Sequence, residues 1–269
     1  MLQALFERGI APDALVGTSV GAINAAYVAV HGASLDTADA LAKIWVDLRR
    51  ADLFPVGLIG GVQALLGGRD SFASPHGLRA LVHRALGSRQ LQDTRLALHV
   101  IATDLLSGVE VRLSDGDLVE SVMASASIPG VFPPVRVGGR TLVDGAVSNN
   151  TPISHALALV EGPVYVLPTG NACALRRPPR GAIPLTLHST SLLVTRRLIL
   201  EIERLAYEPR LVVLPPPCPQ SIPPSDFSRA AELIRRGRED VHDYLSELDA
   251  GRVAAPVRMR MHSHRGAAG

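Results

Sequence analysis

The sequence predicts an α/β fold, a mostly parallel sheet covered by helices on both faces. Three observations lead there. Short apolar runs alternate along the chain with stretches of helical spacing, the pattern of strands joined by helical crossovers. The first of these runs passes through a glycine-containing turn straight into a helical pattern at residues 14–32. The 269 residues, 47% of them hydrophobic, are enough for one large core, which suits a single domain of this class.

The chain opens in a helix, because Leu2, Leu5 and Phe6 fall at helical spacing and Gly9 suits its end. After Pro12, ALVGTS is a short apolar strand, and VGAINAAYVAVHG is rich in helix formers and stops at Gly32. ASLDTADALAKIWVDLRR is an amphipathic helix that Ser34 or Asp36 can cap. The longest uncharged run, LFPVGLIGGVQALLGG from Leu53, has two readings. It is either a loop or cap segment turning an apolar face to lipid or acyl chains, or a buried helix with glycine ends. SPHGLRALVHRAL is another short helix. LALHVIATDL reads as a buried strand, GVEVRL continues it after a turn at Ser107 and Gly108, and GDLVESVMASASI is a helix closed by Pro129. RTLVDGAV and VYVLPTG are further short apolar runs. The proline-rich stretches RRPPRGAIP and LPPPCPQSIPP are loops, since the helical TSLLVTRRLILEIERLA and the apolar RLVVLP lie between them. A last helix, FSRAAELIRRGREDVHDYLSEL, precedes an Arg/Gly-rich tail at residues 251–269 that is expected to be disordered. No internal repeat is visible, so one domain is expected over residues 1–250.

Composition narrows the function. A formal charge of +2 gives no ground for nucleic-acid binding. Cys173 and Cys218 cannot form a disulfide framework, and neither sits in a CxxC or in a Cys/His cluster of metal-ligand spacing. No metal or cofactor is expected, and a reducing cytoplasm fits best. No apolar run reaches the ~18 residues that would span a bilayer, and the first residues carry no signal-peptide pattern.

The chemistry centres on Gly17, Thr18, Ser19, Val20 and Gly21, a G-x-S-x-G pattern. In a nucleophile elbow the serine occupies a strained turn between strand and helix, and glycines let neighbouring backbone pass without a Cβ clash. A strand before and a helix after Ser19 supply that context. The plain alternative is a tight turn with a helix-capping serine. A serine hydroxyl needs a base, and an α/β-hydrolase triad fails on length, because eighteen residues cannot hold the strands that precede that fold's nucleophile. His155 and His242 lie in helical patterns and His188 begins one. The stronger partner is Asp144 in TLVDGAVSNNTP, which ends an apolar strand and precedes Gly145 and Ala146. At the end of a parallel strand it would lie near a serine ending the neighbouring one. The plain alternative is ordinary Asp-Gly turn chemistry.

With both motifs in place, the sequence resembles the patatin-like phospholipases, whose machinery is a Ser-Asp dyad. Their G-x-S-x-G corresponds to residues 17–21 and their D-G-[GA] to Asp144, Gly145 and Ala146. IATDLLSG, SASIPGVFPPV and VSNNTP add to the likeness, which runs from Met1 to about Leu248. The resemblance implies a three-layer α/β/α sandwich with a mostly parallel central sheet. It also implies that Asp144 takes the Ser19 proton, that Ser19 attacks a lipid carboxylic ester to give an acyl-enzyme, and that no histidine or metal is needed. SASIPGVFPP would help line the acyl channel. The expected partner is a lipid ester substrate with transient contact at a membrane surface; oligomeric state is open.

One family feature is missing. Relatives carry a glycine-rich oxyanion loop on a first strand ahead of the opening helix, and residues 1–13 hold no such loop. The Val20 N–H is left as the identifiable oxyanion donor, and loss of one donor typically costs ~10²–10³ in rate. Two explanations are open: a misassigned start, with Met1 at a usual valine position, or a true truncation that is a weak enzyme or an inactive lipid-binding or interaction protein. A serine esterase with a Ser-His-Asp triad, using His188, is the remaining alternative.

Overall fold

The computed structural model describes residues 1–53, 71, 73–168, 173–175, 178–218, 226–253 and 259–263. The uncharged run that starts at Leu53 lies outside these residues except for Leu53 itself, which is buried.

The opening elements follow the sequence pattern: helix α1 (Leu2–Glu7), strand β1 (Ala14–Thr18), helix α2 (Val20–His31) and helix α3 (Leu35–Asp47). The Ser34 hydroxyl accepts the Thr37 N–H and caps α3, satisfying a first-turn amide that has no partner within the helix. Then come α4 (Arg50–Leu53), α5 (His76–Leu86), β2 (Ala97–Asp104), β3 (Glu110–Leu113) and α6 (Leu118–Ser125). Beyond them lie β4 (Val135–Val137), β5 (Arg140–Asp144), α7 (Ala146–Asn149) and α8 (Ile153–Leu159). The chain continues through β6 (Val164–Val166), α9 (Ala182–Arg204), β7 (Leu211–Val213) and α10 (Ala230–Asp249).

The architecture is mixed α/β, a central sheet with helices on it. The expected parallel pairing is present between β1 and β2 and between β6 and β7. Strands joined by short links cannot cross over, so β3 returns antiparallel along β2 and β4 pairs antiparallel with β5. β5 is also antiparallel to β2.

The register decides where the strand ends meet. Val100 and Ile101 of β2 pair with both β1 and β3, so these two strands lie on opposite sides of β2. Ala102 and Thr103 pair with both β3 and β5, so β5 too lies opposite β3. β1 and β5 therefore share one side of β2 and run toward each other. β1 ends at Thr18, level with Ile101, and β5 ends at Asp144, level with Ala102. The sequence reading placed Asp144 on a strand parallel to its neighbour; the structure corrects this to a head-on meeting of two strand ends.

The main core packs Leu98, Val100 and Ala102 of β2 against Ala22, Ile23 and Ala26 of α2 and Val122 and Met123 of α6. Around β7 the period of two along a strand sorts the side chains into two cores. Leu211 and Val213 join Leu198, Ile199 and Ile202 of α9, whereas Val212 and Leu214 join Leu5 of α1 and Val241 and Leu245 of α10. β6 and β7 form a second, two-stranded sheet, which is thus covered on both faces. The segment expected to be a disordered tail contributes buried Met259 to the α9 side. Residues without metal-type spacing in sequence are also brought together: Cys173, Cys218 and His262 form one cluster.

Candidate active site

Ser19 stands between β1 and α2 with φ 55° and ψ −126°, and among the described residues it is the one non-glycine residue at positive φ. That conformation costs a side-chain-bearing residue energy and persists only where the surroundings impose it. Two features impose it. Gly17 lets β1 pass against the first turn of α2, since a Cβ there would sit 2.6 Å from the Gly21 carbonyl oxygen. The Ser19 N–H donates to the Ser125 hydroxyl at 2.8 Å.

The Ser19 hydroxyl donates to Asp144 Oδ2 at 2.6 Å. The other carboxylate oxygen, Oδ1, accepts the Ala146 N–H at 2.8 Å, which aims the group. Asp144 is only 2% exposed. Burial pushes its carboxyl up from 3.8 to about 6, against the opposing effects of the Ser19 hydroxyl and the Ala146 amide. The result is a poorly hydrated carboxylate in contact with a serine hydroxyl, a stronger base than a solvated aspartate.

Gly145 makes the head-on meeting of strands possible. A Cβ at this position would lie 2.2 Å from the Ile101 carbonyl oxygen and 2.8 Å from Thr18 Cγ2. Gly21 differs from the elbow expectation: a Cβ there would meet nothing within 4 Å, so its place is not set by a close approach. Val20, 36% exposed, opens α2 beside Ser19 at the positive end of that helix, while the Ala22 and Ile23 N–H groups of the first turn donate to the Ser19 carbonyl.

A polar bracket holds the pair, and reasoning from single motifs missed its members. Ser125 is the hub: its hydroxyl donates to the Ile101 carbonyl at 2.6 Å while accepting from Ser19, and its carbonyl accepts the Gly145 N–H at 3.3 Å. The Ser127 carbonyl accepts the Asp144 N–H at 2.9 Å. The Thr103 hydroxyl donates to the Asp144 carbonyl at 3.0 Å, and the Thr18 hydroxyl to the Asn149 carbonyl at 3.0 Å. The signal was present as the SASI run, read as channel lining; its serines tie together β1, β2 and β5, while Phe132 of the same loop packs into the main core.

Among the described residues no histidine hydrogen-bonds Ser19 or Asp144. His155 pairs with Glu110 on β3, His242 with Glu7 on α1, and His188 lies on α9. From Gly17, Thr18 and Gly21 a groove of about 730 Å³ runs along β1, past Asn24 and Trp45, to Val164, Tyr165 and Val166 of β6. Among the described residues β1 pairs only with β2, so its other side borders this groove.

Comparison with known proteins gives the family to which the chain is similar. The family model for patatin-like phospholipase matches residues 1–157. An uncharacterized NTE family protein of Mycobacterium tuberculosis is 30% identical over 162 residues, 60% of this chain and 26% of that protein. Lysophospholipase NTE1 of Saccharomyces cerevisiae is 24% identical, over 64% of this chain and 10% of its own. Patatin-like phospholipase domain-containing protein 7 of Rattus norvegicus is 29% identical, over 64% and 12%. The chain thus spans from about a tenth to about a quarter of the length of these relatives. Among solved structures, VipD from Legionella pneumophila aligns with 91% of this chain and 63% of its own at 14% identity and a TM-score of 0.45. With the family model covering more than half of its 269 residues, the chain belongs to the patatin-like phospholipase family.

Proposed function

We propose that this protein is a serine acyl hydrolase of lipid carboxylic esters, with Ser19 as nucleophile and Asp144 as its base. The observation that carries the reading is the 2.6 Å hydrogen bond from a strained Ser19 to a buried carboxylate. The class of substrate comes from the relatives, of which the yeast protein is a lysophospholipase and the rat protein a patatin-like phospholipase domain protein.

As Ser19 Oγ attacks the ester carbonyl, Asp144 Oδ2 takes its proton. The negative charge that develops on the carbonyl oxygen is met by the Val20 N–H and the positive end of α2. Collapse expels the alcohol, which receives the proton from Asp144, and leaves the acyl group on Ser19. Water then repeats the sequence, giving its proton to Asp144 as it attacks the acyl-enzyme and releasing the acid. An extended glycine-rich segment along the free side of β1 would bring further amide donors to the Gly17 and Gly21 end of the groove.

Exposed apolar side chains rim this end of the sheet. Leu105, Leu106 and Val109 follow β2, Val147 follows Asp144, and Leu106 is 88% exposed. They suit transient docking on a lipid surface, for which no crossing segment is needed; no helix among the described residues is long and apolar enough to span a membrane.

Fluorophosphonate labelling of the purified protein tests the dyad. Wild type is expected to label at Ser19, Ser19→Ala not at all, and Asp144→Asn about 10²–10⁴-fold more slowly. A folded wild type that never labels, or an Asp144→Asn variant that labels at the wild-type rate, refutes the dyad. Leu106→Asp is expected to slow hydrolysis of vesicle lipids and leave a short soluble ester unaffected; equal losses on both would refute the docking face.

A further inference from the structure

We propose that Cys173, Cys218 and His262 bind a divalent cation of the zinc class. Sequence spacing hides the set, because 45 residues separate the cysteines and 44 separate Cys218 from His262. The fold assembles it. β6 and β7 are parallel neighbours with Val166 level with Val213, so the segments after them leave the same end of the sheet. Cys173 lies on the first segment and Cys218 on the second. Residues 259–263 are then drawn in by a backbone bridge between Cys173 and His262, in which the Ala174 N–H donates to the His262 carbonyl at 2.8 Å.

The three ligand atoms form a compact triangle: Sγ to Sγ 3.4 Å, Cys173 Sγ to His262 Nε2 3.5 Å, and Cys218 Sγ to Nε2 3.0 Å. Zinc bonds of ~2.3 Å to sulfur and ~2.0 Å to nitrogen in a tetrahedral site put sulfurs about 3.8 Å apart and sulfur and nitrogen about 3.5 Å apart. The triangle fits a cation after outward shifts of a few tenths of an ångström. The imidazole is oriented for it. Its Nδ1 donates to the Arg260 carbonyl at 2.8 Å, and a carbonyl can only accept, so the proton is on Nδ1 and the lone pair of Nε2 points at the sulfurs. Such a second-nitrogen hydrogen bond is the usual support of a metal-bound histidine.

Two thiolates and an imidazole are a soft, borderline donor set that selects zinc over magnesium or calcium. Each thiol gives up its proton on ligation, so binding releases two protons. Among the described residues three protein ligands are in place, of which Cys218 and His262 are exposed. The cation would clamp the segments after β6 and β7 to residues 259–263, whose Met259 is already packed in the core under β6.

The test uses the full chain purified under reducing conditions without chelator. About one zinc per chain is expected, together with a thiolate-to-cobalt charge-transfer band when cobalt replaces it. Zinc is expected to slow alkylation of both cysteines at least about tenfold, and His262→Ala to weaken cobalt binding by a similar factor or more. The wild-type titration and alkylation do not depend on any variant folding. A protein that takes up no stoichiometric metal, shows no charge-transfer band and alkylates at the same rate with and without zinc overturns the proposal. A Cys173–Cys218 disulfide in the isolated protein also overturns it.

Discussion

The Asp144 carboxyl should be readable twice, once in stability and once in reactivity, at the same pH. Its displacement from 3.8 to about 6 corresponds, at about 1.36 kcal/mol per tenfold, to about 3 kcal/mol between protonated and ionised forms. The native state holds this proton more tightly than the unfolded chain. Between about pH 4 and pH 6 the native state therefore binds more protons, and its stability falls as pH rises. The group's contribution is fully present below 3.8 and is lost once pH passes about 6. Asp144→Asn has no charge to bury and lacks this slope. Above pH 6 the variant should be more stable than wild type by about 1–3 kcal/mol, the range allowing for poorer hydrogen bonds to the Ser19 hydroxyl and the Ala146 amide. That gain should vanish near pH 4. Urea unfolding of both proteins at pH 4, 5, 6, 7 and 8 reads the difference directly. The labelling rate of wild type should rise about tenfold per pH unit below about 6 and then level off, because only the ionised carboxylate can take the serine proton. A stability difference that is flat from pH 4 to 8 would show that Asp144 does not titrate in this window and would refute the burial argument. A labelling profile with its inflection elsewhere would separate the carboxylate from the chemistry.

Two substitutions probe the frame around the pair. Ser125→Ala leaves the Ser19 N–H without its acceptor and should cost about 1–3 kcal/mol in urea unfolding, with slower fluorophosphonate labelling as the elbow relaxes; unchanged labelling would mean the strained φ is held without it. Gly145→Ala forces a methyl against the Ile101 carbonyl and should cost about 1–3 kcal/mol or more by the same assay, while a neutral effect would refute the close meeting of β1 and β5.

Most helices and strands were legible because they rest on local signals, though the short β4 and α4 were not read. Ser34 before an amphipathic run and Gly32 after a helix each act within one turn of chain. What could not be read was whatever depends on register. Nothing local to RTLVDGAV says that β5 enters from beyond Asp104 and runs back to Ala102; that follows from its pairing with β2, 40 residues earlier in the chain. The same holds for Ser125, whose neighbours in sequence are ordinary helix residues and whose partners, Ser19 and Ile101, come from two other elements. The cysteines are the extreme case, invisible as a set until β6 and β7 align.

This head-on arrangement bears on how the proposed dyad would work with two residues. In a triad the base reaches the serine from a separate loop and needs a third group to orient it. Here Oδ1 of Asp144 is held by the amide of Ala146, two residues on, and the backbone on either side of the carboxylate is pinned by Ser127, Ser125 and Thr103. In the proposed dyad the orienting function of a third side chain would be taken over by backbone amides and by glycine at 145, which lets the two strand ends close to contact distance. The cost is a desolvated carboxylate, and that same desolvation raises its affinity for a proton to about 6, just below neutrality. An aspartate left in water would be a weaker base.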